Sequence, residues 1–258
     1  MAAEVQRGKL YLIGAGPGDA ELLTLGAVRA LARCDVVLYD RLVSPEVLSY
    51  AQPGAELIYV GKHEGDQDRT QARIFDLIRD RAYAGKTVAR LKGGDPLIFG
   101  RGAEEWARAL EEGIEVELIP GLSSALAVPA LAGIPLTYRG VSSSLAVVTG
   151  HCCAIDVNAW AKHAAVDTLV VLMGVTNRQS AATALIRAGR NPDEPVAFIE
   201  RGTLASERVI EATLAGVASG EVEVASPAVW VIGEVVQLRG KLRATAQESP
   251  EPVLEPQA

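Results

Sequence analysis

A chain of 258 residues with 49% hydrophobic and 22% charged side chains has the composition of a folded protein, and its length suits one large α/β domain or two of about 120 residues. A formal net charge of −7 argues against general binding to nucleic acid or to an anionic membrane surface, while leaving room for a local basic pocket for a small anion. The three cysteines, Cys34, Cys152 and Cys153, are odd in number and include an adjacent pair, unlike a secreted disulfide framework.

The first residues, Met1 to Gly8, are mixed in charge and lack a signal-peptide pattern. Lys9-Leu10-Tyr11-Leu12-Ile13 predicts a buried strand, ended by Gly14-Ala15-Gly16-Pro17-Gly18-Asp19. Leu22, Leu25, Val28 and Leu31 then fall on one face of a helix. Strands follow at Val36 to Tyr39, ending in Asp40-Arg41, and at Leu57 to Val60, ending in Gly61-Lys62-His63. A helix built on Ile74, Leu77 and Ile78 leads to a fourth strand, Thr87 to Leu91, and Val116 to Ile119 is a short fifth. This βαβα rhythm predicts a mainly parallel sheet with helices on its faces.

After Gly121 the texture changes. Leu122 to Ala132 can form a helix that Pro129 would kink or end. Strands are expected at Leu145 to Val148, Leu169 to Leu172, Ala197 to Ile199, Glu207 to Ala212 and Ala228 to Ile232, with a helix around Ala181 to Ala188. The most apolar region, Leu118 to Leu136, is broken by Pro120, Pro129 and Pro135 and lacks the roughly 18 uninterrupted apolar residues of a membrane span. A soluble, cytoplasmic protein is therefore expected. The expected organisation is a domain over 1–120, a second over 121–242 and a tail over 243–258, where periodicity ends.

The densest loop is Lys92-Gly93-Gly94-Asp95-Pro96-Leu97-Ile98-Phe99-Gly100-Arg101-Gly102. It follows a strand and precedes a helical pattern with Ala103, Trp106, Ala107 and Leu110 on one face. In open α/β sheets ligands sit outside the carboxyl ends of strands. Glycine lets backbone approach a ligand closely, and Asp95 can accept hydrogen bonds from hydroxyl or amino groups. Gly14-Ala15-Gly16-Pro17-Gly18 is not a dinucleotide fingerprint, because Asp19 stands where the last glycine should be and Pro17 removes a backbone N–H. A nicotinamide or flavin enzyme is disfavoured. His151-Cys152-Cys153 is a poor metal motif, since adjacent cysteines rarely share one ion and no second cluster with ligand spacing follows.

Taken in order, several blocks resemble the tetrapyrrole (class III) methyltransferases, and within them the uroporphyrinogen-III C-methyltransferase branch. They are Tyr11 to Asp19, Tyr39-Asp40-Arg41-Leu42-Val43-Ser44, Gly61-Lys62, Lys92 to Gly102, Ile119-Pro120-Gly121-Leu122-Ser123-Ser124-Ala125, Ala132 to Thr137, Thr149-Gly150-His151, Met173-Gly174 and Ser226-Pro227-Ala228. The resemblance implies two α/β domains with S-adenosylmethionine as co-substrate in a cleft between them, no metal, and a homodimer. It implies transfer of two methyl groups to uroporphyrinogen III, at C-2 and C-7, giving precorrin-2 by way of precorrin-1. The alternatives are a later corrin-ring methyltransferase or a non-catalytic module that binds S-adenosylmethionine.

Carried over residue by residue, the resemblance places Pro17, Gly93, Gly94, Asp95, Ile98, Ser123, Ser124, Met173 and Gly202 at the methyl donor, with Ala228 near the adenine. It assigns Asp40 as proton acceptor and Lys62 as proton donor. The competing roles for Asp40 are a surface ion pair with Arg41, a helix cap or, in the common nucleotide-type methyl-donor fold, a hold on ribose hydroxyls, and for Lys62 carboxylate binding. Where the family often has Thr-Ala, this chain has Ser123-Ser124, and the stretch after Lys62 is more acidic than usual for the family. A substrate bearing eight carboxylates would need local cations, for which Arg41, Lys62, Arg101, Arg139 and Arg201 adjoin the blocks.

Overall fold

The computed structural model describes residues 7–61, 67–151 and 160–247. The chain divides into two compact units, Met1–Ala127 and Val128–Ala258, each with its own five-stranded sheet.

In the first unit the strands are β1 (Lys9–Gly14), β2 (Val36–Tyr39), β3 (Glu56–Tyr59), β4 (Val88–Lys92) and β5 (Glu115–Ile119). They lie in the order β3-β2-β4-β1-β5, and every pairing is parallel. The helices between them are α1 (Leu25–Leu31), α2 (Pro45–Leu48), α3 (Gln67–Tyr83) and α4 (Gly102–Glu111). Alternation along the strands splits the core in two. Leu10, Val36, Leu38 and Val88 pack with Phe75 and Ile78 of α3 and Ala109 of α4. Ile13, Val37, Ala89 and Leu91 pack with Ala27 and Leu31 of α1 and Val47 of α2. Every residue of β4 is buried, so the alternation Val88, Arg90, Lys92 turns two charges toward the α3 and α4 side.

Two helices expose a face that the apolar pattern suggested for the core. In α4 the buried residues are Gly102, Glu105 and Ala109, whereas Leu110 is 57% exposed. In α1 they are Ala27, Ala30 and Leu31, and Leu25 is exposed. The α1 phase is reset because Thr24 caps a new start, its hydroxyl accepting the Ala27 N–H at 3.1 Å after a short 3-10 turn over Ala20–Leu22.

Helix α5 (Ser124–Leu131) follows β5 and contains Pro129, ending two residues after it. The second unit has β6 (Leu145–Thr149), β7 (Thr168–Leu172), β8 (Pro195–Glu200), β9 (Arg208–Thr213) and β10 (Ala228–Ile232), with helices α6 (Arg178–Arg187), α7 (Leu214–Ser219) and α8 (Leu238–Gln247). The order is β6-β7-β10-β8-β9. Only β6 and β7 are parallel; β10 runs antiparallel to both β7 and β8, and β8 to β9. The core centres on Trp230 stacked on Phe198, with ring centroids 5.0 Å apart. Helix α8 continues to Gln247, past the point where the sequence pattern fades, because Arg239 and Arg243 donate to the carbonyls of Leu131 and Ala132 at the end of α5. Among the described residues no helix is long and apolar enough to cross a membrane.

Candidate functional site

All five strands of the first sheet run the same way, so the loops after β1, β2, β4 and β5 emerge at one edge. Adjacent β1 and β4 carry their pairing outward into the glycine loops: Gly94 N–H donates to the Gly16 carbonyl at 2.6 Å, and Gly16 N–H to the Gly94 carbonyl at 3.2 Å. Both glycines have positive φ, +72° and +68°. The β5 loop closes against them: a Cβ on Gly121 would lie 2.3 Å from the Gly94 carbonyl oxygen, and one on Gly14 would lie 2.4 Å from Gly121 N. Three backbone segments thus meet where no side chain fits.

Asp95 ties this arrangement together. Its Oδ1 accepts from Leu97 N–H at 2.9 Å and its Oδ2 from Gly121 N–H at 3.2 Å. Each carboxylate oxygen has a second acceptor site, so the half-buried group can still receive hydroxyl or amino donors from a ligand. Ile98 is 43% exposed beside it. Pro17 ends the first loop half-buried, and Gly93 is held by Leu42, whose Cβ would be 2.8 Å from an added Cβ. Ser123 caps α5, its hydroxyl accepting from Ala125 N–H at 3.3 Å, and Ser124 N is 3.6 Å from the position of a Gly94 Cβ. Pro17, Gly93, Gly94, Asp95, Ile98, Ser123 and Ser124 therefore share one sheet edge.

Asp40 stands at the same edge, directly after β2. Its Oδ1 accepts from Leu42 N–H at 3.2 Å and its Oδ2 lies 3.5 Å from Arg90 Nη2. The competing Arg41 ion pair is not what engages it. Arg90 leads to a buried charge cluster that sequence reasoning missed. Its Nε donates to Glu105 Oε1 at 3.3 Å, Lys92 Nζ lies 3.2 Å from both Glu105 oxygens, and Gln71 Nε2 donates to Oε1 at 2.9 Å. Burial, then the Arg90 charge, pushes the Lys92 pKa down. Burial opposes ionisation of Glu105, but Arg90, Lys92 and Gln71 outweigh it and lower its pKa. The available signal was a pair of cations two apart in a strand otherwise reading as core, followed by an acid in the next helix.

In the second unit β6, β7 and β8 end at one edge, and β10 begins there. Met173 follows β7 with φ +55° and is 50% exposed. Gly202 follows β8, and a Cβ on it would lie 2.3 Å from Cγ1 of Val128. Ala228 opens β10, paired with Glu200. These three share that unit's sheet edge. The non-glycine residues with positive φ among those described, Phe99, Arg101, Met173, Arg201 and Thr203, all lie in loops after β4, β7 or β8, where backbone strain accompanies function most often.

Of the proposed cations, Arg41 and Arg139 are exposed, and Arg101 pairs with Glu104 at 2.6 Å. Arg201 is committed to its own loop, donating to Ser206 and lying 3.6 Å from Glu200. Lys62, Cys152 and Cys153 lie outside the described residues. Among the described residues no group of three or more His, Cys, Asp or Glu is placed to hold a metal ion.

Glycine loops and an acid at the carboxyl edge of a parallel sheet occupy the place where α/β proteins hold small molecules. The chain belongs to the tetrapyrrole (corrin/porphyrin) methylases, whose family model matches residues 9–218. It is 46% identical over 239 residues to the S-adenosyl-L-methionine-dependent uroporphyrinogen III methyltransferase of Methanosarcina barkeri, covering 90% of this chain and 93% of that protein. It is also 46% identical over 237 residues to the siroheme synthase of Tolumonas auensis, of which it spans only 51%. The crystal structure of uroporphyrin-III C-methyl transferase from Thermus thermophilus complexed with S-adenosylhomocysteine superposes with a TM-score of 0.79 at 47% identity, over 90% of this chain and 94% of that one.

Proposed function

We propose that this chain is an S-adenosylmethionine-dependent C-methyltransferase that adds two methyl groups to uroporphyrinogen III, forming precorrin-2 by way of precorrin-1. The observation that carries this is the meeting of the three glycine-bearing loops, Asp95 and Asp40 at one sheet edge, in a chain whose near-full-length relative bears the name of that reaction. In the first unit Pro17, Gly93, Gly94, Asp95, Ile98, Ser123 and Ser124 would hold the methyl donor, Asp95 through its remaining acceptor sites. In the second unit Met173, Gly202 and Ala228 are the corresponding contacts. When bound, S-adenosylmethionine supplies an electrophilic methyl group on sulfonium.

The protein's own task is then alignment, exclusion of water and proton transfer. A ring carbon that gains a methyl already bears a side chain and becomes quaternary, so the cationic ring regains neutrality by losing a proton from a neighbouring position, a meso methylene C–H or a pyrrole N–H. Asp40 takes that proton, the electron pair of the broken bond returning to the ring, and the family resemblance assigns Lys62 as proton donor. Exposed Leu42, Leu97, Ile98 and Phe99 beside Asp40 and Asp95 offer apolar surface for a macrocycle, and Arg41 and Arg101 lie next to them in sequence for its carboxylates. The working form is a cytoplasmic homodimer, which light scattering on the purified protein tests.

The decisive experiment is incubation with S-adenosylmethionine and uroporphyrinogen III, followed by absorbance and mass. A gain of two methyl groups is expected. Methylation only of a later corrin intermediate, or tight donor binding without turnover, would overturn the assignment.

A further inference from the structure

Arg90 and Lys92 are charged, yet they sit in β4, between β2 and β1 within the sheet, and are only 3% and 4% exposed. Their shared partner Glu105 is 2% exposed. Taking ions out of water is costly, and apolar residues of the same volume would serve packing as well or better. Glu105 and the two cations explain one another, but not the direction in which Arg90 reaches. Its guanidinium extends from the core to the edge of the sheet, donating to the Leu91 carbonyl at 2.9 Å and placing Nη2 3.5 Å from Asp40 Oδ2.

The Asp40 carboxylate is thereby bracketed. Its Oδ1 is held by the backbone of its own loop, at Leu42 N–H, and its Oδ2 faces Arg90. The contact is monodentate and long. A short bidentate fork would occupy both oxygens, whereas this one orients the carboxylate and leaves Oδ2 able to take a proton. Glu105 grips Arg90 Nε from the core side, Lys92 balances the charge of Glu105, and Gln71 of α3 fills a further acceptor site on it. In their ordinary ionised states two cations and two carboxylates close to zero charge.

We propose that Arg90, anchored by Glu105 and Lys92, is the positioning residue for Asp40: it sets the carboxylate at the angle from which a proton can be taken off the tetrapyrrole once its ring carbon is methylated. This rests on the reading of Asp40 as proton acceptor given above. Arg90 itself meets neither donor nor acceptor; it acts through Asp40.

The test is a double-mutant cycle on the full chain with Asp40→Asn, Arg90→Met and the pair, reading kcat, KM for the tetrapyrrole and calorimetric affinity for S-adenosylhomocysteine. Asp40→Asn should lower kcat by about 100-fold or more, the scale of a lost general base. Arg90→Met should lower kcat by about tenfold or more with S-adenosylhomocysteine affinity within about twofold, and should add almost nothing in the Asp40→Asn background. Because removing Arg90 strips Glu105 of a buried counter-charge, Arg90→Lys is the second variant. It keeps a cation near Glu105 but lacks the fork that reaches Leu91 and Asp40 together, so its thermal melt should stay near wild type while kcat falls. Wild-type kcat in Arg90→Lys, or an equal loss from Arg90→Met in both backgrounds, overturns the positioning role while leaving Asp40 in place. Wild-type kcat in Asp40→Asn instead overturns the proton-acceptor assignment, and the positioning role with it.

Discussion

Asp95 holds Gly121 across two loops: its Oδ2 accepts the glycine N–H at 3.2 Å, spanning 26 residues of sequence. The residue that the sequence marks as a ligand contact is thus also the tie between the loop after β4 and the loop after β5. Its partner must be glycine, because the Gly94 carbonyl oxygen lies where a Cβ would go.

A graded effect at Asp95 follows. The two backbone donors use different oxygens, so Asp95→Asn loses one acceptor and Asp95→Ala loses both. S-adenosylhomocysteine affinity measured by calorimetry should fall in the order wild type, Asn, Ala, with Asp95→Ala also destabilised by about 1–3 kcal/mol. Unchanged affinity in the alanine variant would remove Asp95 from the donor site.

At Gly121 the expectation is steric. An added methyl meets the Gly94 carbonyl oxygen at 2.3 Å and Gly14 C at 2.8 Å, both backbone atoms that cannot swing aside. Gly121→Ala should cost about 1–3 kcal/mol in urea unfolding and push the two glycine loops apart, weakening donor binding. A wild-type urea midpoint would show that the loops are looser than their contacts indicate.

Lys62 is assigned by family resemblance alone. Lys62→Ala should turn over slowly while S-adenosylhomocysteine still binds at wild-type affinity. A wild-type kcat would take the residue out of the proton chemistry, and a raised KM with unchanged kcat would recast it as a carboxylate anchor.

The second unit carries an acid-sensitive clamp. Asp167 Oδ2 accepts from Ser143 N–H at 2.8 Å, Ser144 N–H at 3.0 Å and the Ser143 hydroxyl at 2.9 Å. The Ser143 backbone first, then its hydroxyl and Ser144, lower the Asp167 pKa from 3.8 to about 2. A pKa lower in the folded than in the unfolded state means that stabilisation is complete above the unfolded value and is lost as pH falls through the folded one. The Tm advantage of wild type over Asp167→Asn should therefore shrink between pH of about 4 and about 2. A gap that stays constant over that window would mean that the carboxylate charge contributes nothing.

Local pattern was enough to place most strands, the glycine loops that end them and Asp40 at the end of β2, since alternation, glycine and capping residues act within a few positions of themselves. The same local rules went astray on α4. They grouped Ala103, Trp106, Ala107 and Leu110, while the buried face carries Glu105. A helix face is chosen by what it packs against, and here the choice was made by Arg90 and Lys92 on a strand buried on both sides.

By itself the sequence determined the elements, the turn chemistry and, through blocks in register along the chain, membership of a tetrapyrrole methylase family. Tertiary structure alone decided which groups meet. Asp95 bonds to Gly121 and Asp40 faces Arg90 only because parallel strands in the order β3-β2-β4-β1-β5 bring loops distant in the chain to one edge. Strand order is a matter of long-range pairing, and no spacing along the chain records it.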